Sequence, residues 1–162
     1  MGSDRTIGLT SGKGEGLWAR LRPWLDWAFL LAWMALIYRL SATPDLKTVP
    51  LAQRFHLLPA AIGVELTNLL ELLLRKAAHM AAFGLLAWLG HRALAGTFRT
   101  WSRARLLAAA LALTVLYAIS DEWHQTFVPT RYGSPRDVAI DTAGALIALA
   151  SIWFRSRRRP AS

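Results

Sequence analysis

The sequence predicts an all-α membrane protein, a bundle of four transmembrane helices with an amphipathic interfacial helix in the first external loop. Hydrophobic residues make up 54% of the 162 residues, and eight are tryptophan, which does not suit an ordinary soluble domain. The apolar residues form separate stretches, each close to the roughly 20 residues that a bilayer crossing requires. Basic residues stand at the ends of these stretches, as expected where a helix leaves the membrane.

The first part of the chain contains a polar tail and the first apolar stretch. Residues 1–16 are polar, rich in glycine and without apolar periodicity, and we expect a disordered cytoplasmic tail over residues 1–22. A membrane domain follows over residues 23–156. Its first transmembrane segment runs from Trp24 to Leu40, preceded by Pro23 at a position that suits the start of a helix. Residues 157–162 form a basic cytoplasmic tail.

The remaining elements follow from periodicity and helix-breaking residues. Prolines and the lack of a sustained period from Ser41 to about Pro59 indicate an external loop or a surface-lying segment. Ala60 to Leu74 has an apolar face and a polar face, which is typical of an interfacial amphipathic helix. Three further transmembrane segments are predicted, from about Leu72 to Leu94, from Leu106 to about Gln125 and from Asp137 to Phe154.

The distribution of charge predicts the orientation and excludes one class of partner. Basic residues concentrate before segment one, between segments two and three and at the C-terminus, so the positive-inside rule places both termini in the cytoplasm. The loop between segments three and four then lies at the outer face. The net charge of +9 does not indicate nucleic-acid binding, because the arginines are not grouped on one helix face with interleaved aromatic residues. The absence of cysteine excludes disulfides and thiolate metal sites.

The polar stretch between segments three and four is the main candidate site. An ionisable side chain at membrane depth costs about 2.5–3.5 kcal/mol even on the lenient insertion scale, and it usually faces a bundle interior or a wet cavity. Helical spacing places Asp121 on one face with His124 and Gln125, whereas Glu122 points elsewhere. The full set of candidates in this stretch is Asp121, Glu122, His124, Gln125, Arg131, Ser134, Arg136, Asp137 and Asp141.

The start of segment four has a helix-capping pattern. Ser134 suits the N-cap and Pro135 the first helical position, with Asp137 reaching back to the amide of Ser134. Capping does not explain Asp141, which stands one turn beyond Asp137 on the same face. Gly144 continues that face, and it predicts a close approach of a neighbouring helix or a ligand.

Segment two supplies a second group of candidates. Lys76, His79 and Phe83 lie on one helical face among small residues. A histidine on the same membrane-helix face as a lysine, with carboxylates available opposite, indicates a functional group more than a structural one. We therefore expect segment two to form the other wall of the site.

These residues carry a resemblance to a known family. The motifs are Lys76-x-x-His79-x-x-x-Phe83 and Ser120-Asp121-Glu122-x-His124-Gln125-x-Phe127-Val128-Pro129-x-Arg131-x-x-Ser134-x-x-Asp137-x-x-x-Asp141-x-x-Gly144. Over about Arg75 to Phe154 the sequence resembles the VanZ-like family, which comprises small bacterial four-helix membrane proteins. It departs from the family at Phe83, where tyrosine is frequent, and at Asp141, where asparagine is frequent. The resemblance implies the bacterial inner membrane, association with the cell envelope and, in the founding member, resistance to teicoplanin.

Three functions are compatible with the pattern. In the first, the protein binds or remodels a membrane lipid or a lipid-linked cell-wall precursor, with its headgroup held by Lys76, Gln125, Arg131, Ser134 and Arg136. In the second, it is an acid–base or metal-dependent enzyme acting on a lipid-linked substrate, with His79, Asp121, Glu122, His124, Asp137 and Asp141 as catalytic candidates. In the third, ion pairs such as Lys76–Asp121 and Arg131–Asp137 lock the helix ends without any ligand.

A metal-dependent enzyme would need its candidate ligands to lie close together. It requires His79 and His124 close together, with two of the nearby carboxylates. The spacing of these residues contains no compact metal-binding motif, so no metal ligand is assigned from the sequence, which leaves the cofactor open.

Overall fold

The described residues form four helices and no strand, as the predicted all-α fold class requires. The computed structural model of the chain describes residues 12–43, 64–129 and 131–157. In chain order the helices are α1 (Gly12–Ser41), α2 (Val64–Thr97), α3 (Arg103–Gln125) and α4 (Pro135–Arg157). By length and apolar composition, α2, α3 and α4 can each cross a membrane. The predicted all-α membrane fold is confirmed.

Helix α1 has a different composition from the other three. It includes charged residues and several tryptophans, and although its 30 residues are long enough to cross a membrane, its most apolar stretch has a lower mean hydropathy than those of the three candidate spans. Its Asp26 is only 5% exposed and accepts a hydrogen bond from Arg92 of α2 at 2.5 Å. This pairing offsets part of the cost of burying the carboxylate. A membrane crossing by α1 remains a prediction.

The start of α1 differs from the sequence-based expectation. The helix begins at Gly12, so the part of the predicted disordered tail from Gly12 to Arg22 is helical. Residues 1–11 and 158–162 lie outside the described part of the chain.

The predicted interfacial helix is joined to the second transmembrane segment. The described part of Ala60 to Leu74 belongs to α2, which runs without interruption from Val64 to Thr97. No proline separates the amphipathic stretch from the apolar run that follows, so nothing in the sequence ends the first helix. Residues 44–63, which include most of the predicted external loop, lie outside the described residues.

Helix α2 is the centre of the bundle. It contacts α1, α3 and α4, and its contact with α4 is the most extensive. A Cβ atom added at Gly144 would lie 2.0 Å from the carbonyl oxygen of Met80, and one at Gly84 would lie 3.1 Å from the carbonyl oxygen of Gly144. Small residues at such a crossing let helix backbones approach closely in a membrane. The crossing brings together the neighbouring turns that carry His79 and Asp141.

Candidate functional site

Two adjoining cavities lie at the end of the bundle where α3 ends and α4 begins, which we call the polar end. The polar cavity has a volume of about 150 Å³, and its lining includes Lys76, Gln125, Asp137 and Asp141. The apolar cavity has a volume of about 110 Å³, and its lining includes Ile37, Leu40, Ala82 and Phe83. Both cavities are lined by Arg75, His79 and Arg131. The two spaces therefore share a wall.

The shared wall carries two guanidinium groups. Arg131 donates hydrogen bonds to the carbonyl oxygens of Leu40 and Thr43, at 3.3 and 3.1 Å, and so holds the C-terminal end of α1. The Nη2 atom of Arg75 lies 3.9 Å from Oε1 of Glu71, one turn earlier in α2. Burial lowers the pKa of the Arg131 guanidinium, and the positive charge of Arg75 lowers that pKa further. An anion between the two arginines would relieve this repulsion.

An ion pair joins α2 and α4 across the polar cavity. Lys76 pairs with Asp137, and both side chains are partly exposed. The predicted pairs Lys76–Asp121 and Arg131–Asp137 are therefore wrong, since Lys76 contacts a different carboxylate and Arg131 contacts carbonyl oxygens at and just beyond the end of α1. Lys76 is paired with Asp137 and Arg75 makes a long ion pair with Glu71, whereas the hydrogen bonds of Arg131 go to uncharged carbonyl oxygens.

The start of α4 follows only part of the predicted capping pattern. The hydroxyl of Ser134 accepts the Arg136 amide at 3.2 Å, as expected for an N-cap. The amide of Ser134 donates to Glu122 at 2.8 Å, not to Asp137 as predicted. Arg136 is exposed and is not among the residues that line the two cavities, so the described contacts do not place it at the site.

Asp121 connects α3 to the end of α1. It is 2% exposed, and its carboxylate accepts hydrogen bonds from the Ser41 hydroxyl at 2.9 Å and the Gln125 amide at 3.1 Å. The predicted shared face of Asp121 and Gln125 is present. Ser41 was not expected at the site, and no signal in the sequence marks it beyond its position at the end of an apolar stretch.

His124 lies apart from the other candidates. Its ring centroid is 4.4 Å from that of Tyr38 in α1, and it lines a third cavity with Tyr117 and Phe127. His79 lines the polar and apolar cavities instead. The structure does not bring together the pair of histidines that the metal version of the enzyme hypothesis requires.

Glu122 points into the site, contrary to the sequence-based expectation. It is 5% exposed and accepts hydrogen bonds from the amide of Ser134 at 2.8 Å and the side chain of Gln125 at 3.3 Å. Gly133 permits this arrangement, because a Cβ atom there would lie 2.2 Å from the Glu122 carbonyl oxygen. Helical periodicity could not predict it, since the loop after α3 folds back over this face.

Three acidic or imidazole side chains from three helices converge beside the polar cavity. Ligand atoms of His79, Glu122 and Asp141 all lie within 4.8 Å of one another. The Nδ1 atom of His79 is 3.5 Å from Oδ1 of Asp141, and Asp141 is 0% exposed. We call these residues the His79–Glu122–Asp141 cluster.

Comparison with known proteins agrees with the motifs. A family model described as VanZ/LLP1 matches residues 26–156. The chain belongs to the VanZ-like family. The match extends from α1 to α4, and it includes every residue of the two cavities and of the cluster. Searches of curated proteins and of solved structures found no match.

This VanZ-like site combines three chemical capabilities. The arginines of the shared wall can bind an anion, and the apolar cavity can accept a hydrocarbon group. The imidazole and carboxylates of the cluster can exchange protons or coordinate a cation. Arg75 was not predicted as a site residue, because a basic residue at the start of an apolar segment is typical of the point where a helix enters the membrane.

Proposed function

We propose that this VanZ-like protein binds the headgroup of an anionic membrane lipid or lipid-linked cell-wall precursor at the polar end. One observation carries the proposal: a polar cavity of about 150 Å³ shares a wall with an apolar cavity of about 110 Å³. An amphiphile needs two adjoining spaces of this kind, one for its charged group and one for the start of its chain. The rest of the ligand's hydrocarbon chain would remain in the surrounding lipid.

Charge supports an anionic ligand. Arg75 and Arg131 line both cavities, and a guanidinium group presents paired donors that match a phosphate or carboxylate. Lys76 contributes less, because Asp137 already neutralises it. We therefore assign the recognition of the anion to the two arginines.

The proposed location of the ligand depends on the orientation of the chain. We propose a bacterial inner-membrane protein with both termini in the cytoplasm, because the basic residues concentrate on that side. The polar end then lies at the outer face. The ligand would then come from the outer leaflet.

Native mass spectrometry of the purified full chain tests headgroup binding. The probes are phosphatidylglycerol and phosphatidylcholine at equal concentration. We expect the wild type to retain the anionic lipid preferentially, and Arg75→Gln and Arg131→Gln to weaken that retention by about ten- to a hundredfold, since a charged hydrogen bond contributes about 1.5–3 kcal/mol.

Arg136→Gln is the matched control, because it removes the same charge from an exposed residue near the same face. It should retain the anionic lipid as the wild type does. The proposal is wrong if the wild type has no headgroup preference, or if all three variants retain the lipid equally.

We extend the proposal to glycopeptide resistance, on the basis of the family resemblance alone. Expression of the wild-type chain in a sensitive bacterium should reduce teicoplanin susceptibility, and the Arg75→Gln variant should restore it at equal protein abundance. If expression of the wild-type chain leaves teicoplanin susceptibility unchanged, the chain does not confer the resistance described for the founding member.

An enzyme acting on a lipid-linked substrate is the second candidate. The observation that favours it is the His79–Asp141 pair, with 3.5 Å between Nδ1 and Oδ1, because an imidazole beside a carboxylate suits general acid–base catalysis. Incubation with lipid-linked wall precursor should then yield a product of new mass with the wild type and none with His79→Ala. Binding of the precursor without any new mass would reject the enzyme.

A further inference from the structure

We propose that His79, Glu122 and Asp141 form a binding site for a divalent transition-metal cation at the base of the polar cavity. The three side chains come from α2, α3 and α4, and their ligand atoms lie within 4.8 Å of one another. The proposal goes beyond headgroup binding and does not rest on it.

Asp141 is the main evidence for a cation. It is 0% exposed, and neither of its carboxylate oxygens accepts a hydrogen bond from any described residue. The Nδ1 atom of His79 is also buried and without a hydrogen bond within the described part of the chain. Buried carboxylates are normally hydrogen-bonded, paired or bound to a metal. The contact between Asp141 and His79, 3.5 Å from Oδ1 to Nδ1, gives neither carboxylate oxygen a hydrogen bond, and a cation would supply the missing contact.

The distance between the ligand atoms of His79 and Asp141 suits metal coordination. Two ligands at about 2.1 Å from a tetrahedral Zn²⁺ lie about 3.4 Å from each other. His79 Nδ1 and Asp141 Oδ1 are separated by 3.5 Å. A small movement of side chains would bring all three residues to one cation.

Glu122 is held in place by neighbouring donors. Its Oε2 atom accepts the Ser134 amide at 2.8 Å, and its Oε1 atom accepts the Gln125 side chain at 3.3 Å. Hydrogen bonds of this kind orient the carboxylates that bind metals. Both contacts leave further lone pairs on the carboxylate for a cation.

The charge of the cluster also supports a divalent cation. Two carboxylates and a neutral imidazole carry a charge that one divalent cation cancels. Lys76, the basic side chain one turn before His79 in α2, pairs with Asp137 and so does not neutralise the cluster.

The donor set favours one class of metal. Imidazole with carboxylates suits Zn²⁺, Mn²⁺ or Fe²⁺, whereas Ca²⁺ and Mg²⁺ prefer oxygen ligands alone. Three protein ligands leave a coordination position open. Because His79 and Asp141 line the polar cavity, that position would face the space proposed for the headgroup.

Metal titration of the full chain tests the site. The purified protein is stripped with a chelator, kept free of added lipid, and titrated with Zn²⁺ by calorimetry and with Co²⁺ by visible absorption. We expect one equivalent to bind. His79→Ala, Glu122→Gln and Asp141→Asn should each weaken binding at least tenfold, since even the loss of an outer-shell partner typically costs 10–100-fold. The same variants should lose the visible Co²⁺ spectrum of a low-symmetry site.

Asp26→Asn is the matched control, because it neutralises a buried carboxylate that pairs with Arg92 at the other end of the bundle. It should bind Zn²⁺ and Co²⁺ as the wild type does. If Asp141→Asn does not fold, the result for Glu122→Gln decides.

Two outcomes would overturn the cation site. One is the absence of saturable metal binding by folded wild-type protein, and the other is wild-type affinity in the folded cluster variants. No lipid is added, so failure here leaves the headgroup proposal standing, while loss of headgroup preference leaves the cation site standing.

Discussion

Asp121 and Glu122 are neighbours in the chain, yet their carboxylates contact different parts of the bundle. Asp121 accepts hydrogen bonds from Ser41 and Gln125 and so connects α3 to α1. Glu122 accepts the Ser134 amide and joins the cluster at the start of α4. Helical spacing predicted the contact of Asp121 with Gln125, because the two are four residues apart on one helix, but not the bond from Ser41. It could not predict the contacts of Glu122 either, which depend on how the following loop folds.

Removing the Ser41 hydroxyl should destabilise the protein. Ser41→Ala deletes the donor to the buried Asp121 carboxylate, and a hydrogen bond to a charged group contributes about 1.5–3 kcal/mol. Thermal unfolding in detergent measures the loss. Ser120→Ala is the control, because the exposed Ser120 hydroxyl bonds only to the carbonyl of Tyr117 in its own helix among the described contacts. A similar loss in both variants would show that the Ser41–Asp121 bond has no special role.

At the scale of the elements, the α2–α4 crossing fixes the position of the site. The backbones meet where Gly144 faces Met80, and this contact places His79 and Asp141 on adjoining turns. Gly144→Ala should therefore lower the free energy of unfolding by about 1–3 kcal/mol, the usual cost of overpacking. It should also weaken ligand binding at the polar end, because the two helices must move apart.

Gly90→Ala is the control for the crossing, since a Cβ atom there meets only Leu113 at an ordinary 3.8 Å. It should be neutral or stabilising, because alanine is favoured over glycine in a helix by about 1 kcal/mol. Equal thermal stability of Gly144→Ala and the wild type would contradict the close contact of α2 with α4.

The elements were easier to predict than their contacts. The end of α3 at Gln125 follows from the proline and turn residues beyond it, and the start of α4 follows from Ser134 and Pro135. The apolar stretches predicted α2, α3 and α4. The joining of the interfacial helix to α2 was not predicted, because a change of amphipathicity does not by itself end a helix.

At the scale of the whole molecule, the proposed ligand depends on which side of the membrane the polar end faces. The basic residues predict an outer location, and the absence of native cysteine allows a direct test with single cysteines. Tyr132 is 88% exposed at the polar end, and Thr100 is exposed in the turn between α2 and α3.

A membrane-impermeant maleimide should label Tyr132→Cys in spheroplasts and label Thr100→Cys only after lysis. Gel-shift detection of the labelled protein measures both. Labelling of Thr100→Cys in intact spheroplasts, with protection of Tyr132→Cys, would place the polar end in the cytoplasm and exclude a ligand from the outer leaflet.

Family membership and the charge pattern together predicted the class of molecule, but not the arrangement of the site. The sequence placed His79 and His124 in one hypothetical metal site, whereas the fold separates them by turning His124 towards Tyr38 of α1. That contact joins residues far apart in the chain, and neither the periodicity of a single helix nor a local motif contains it. The same reason explains why the shared wall of Arg75 and Arg131 could not be predicted.

The most direct test of the account is a double-mutant cycle on Arg75 and Arg131, using the dissociation constant for phosphatidylglycerol in the wild type, both glutamine variants and the double variant. If the two guanidinium groups bind one anion, the losses should be non-additive, with a coupling energy of about 0.5–3 kcal/mol. Thermal unfolding of each variant controls for folding. Additive losses in folded proteins would mean that the arginines act separately, and they would contradict a single headgroup site at the shared wall.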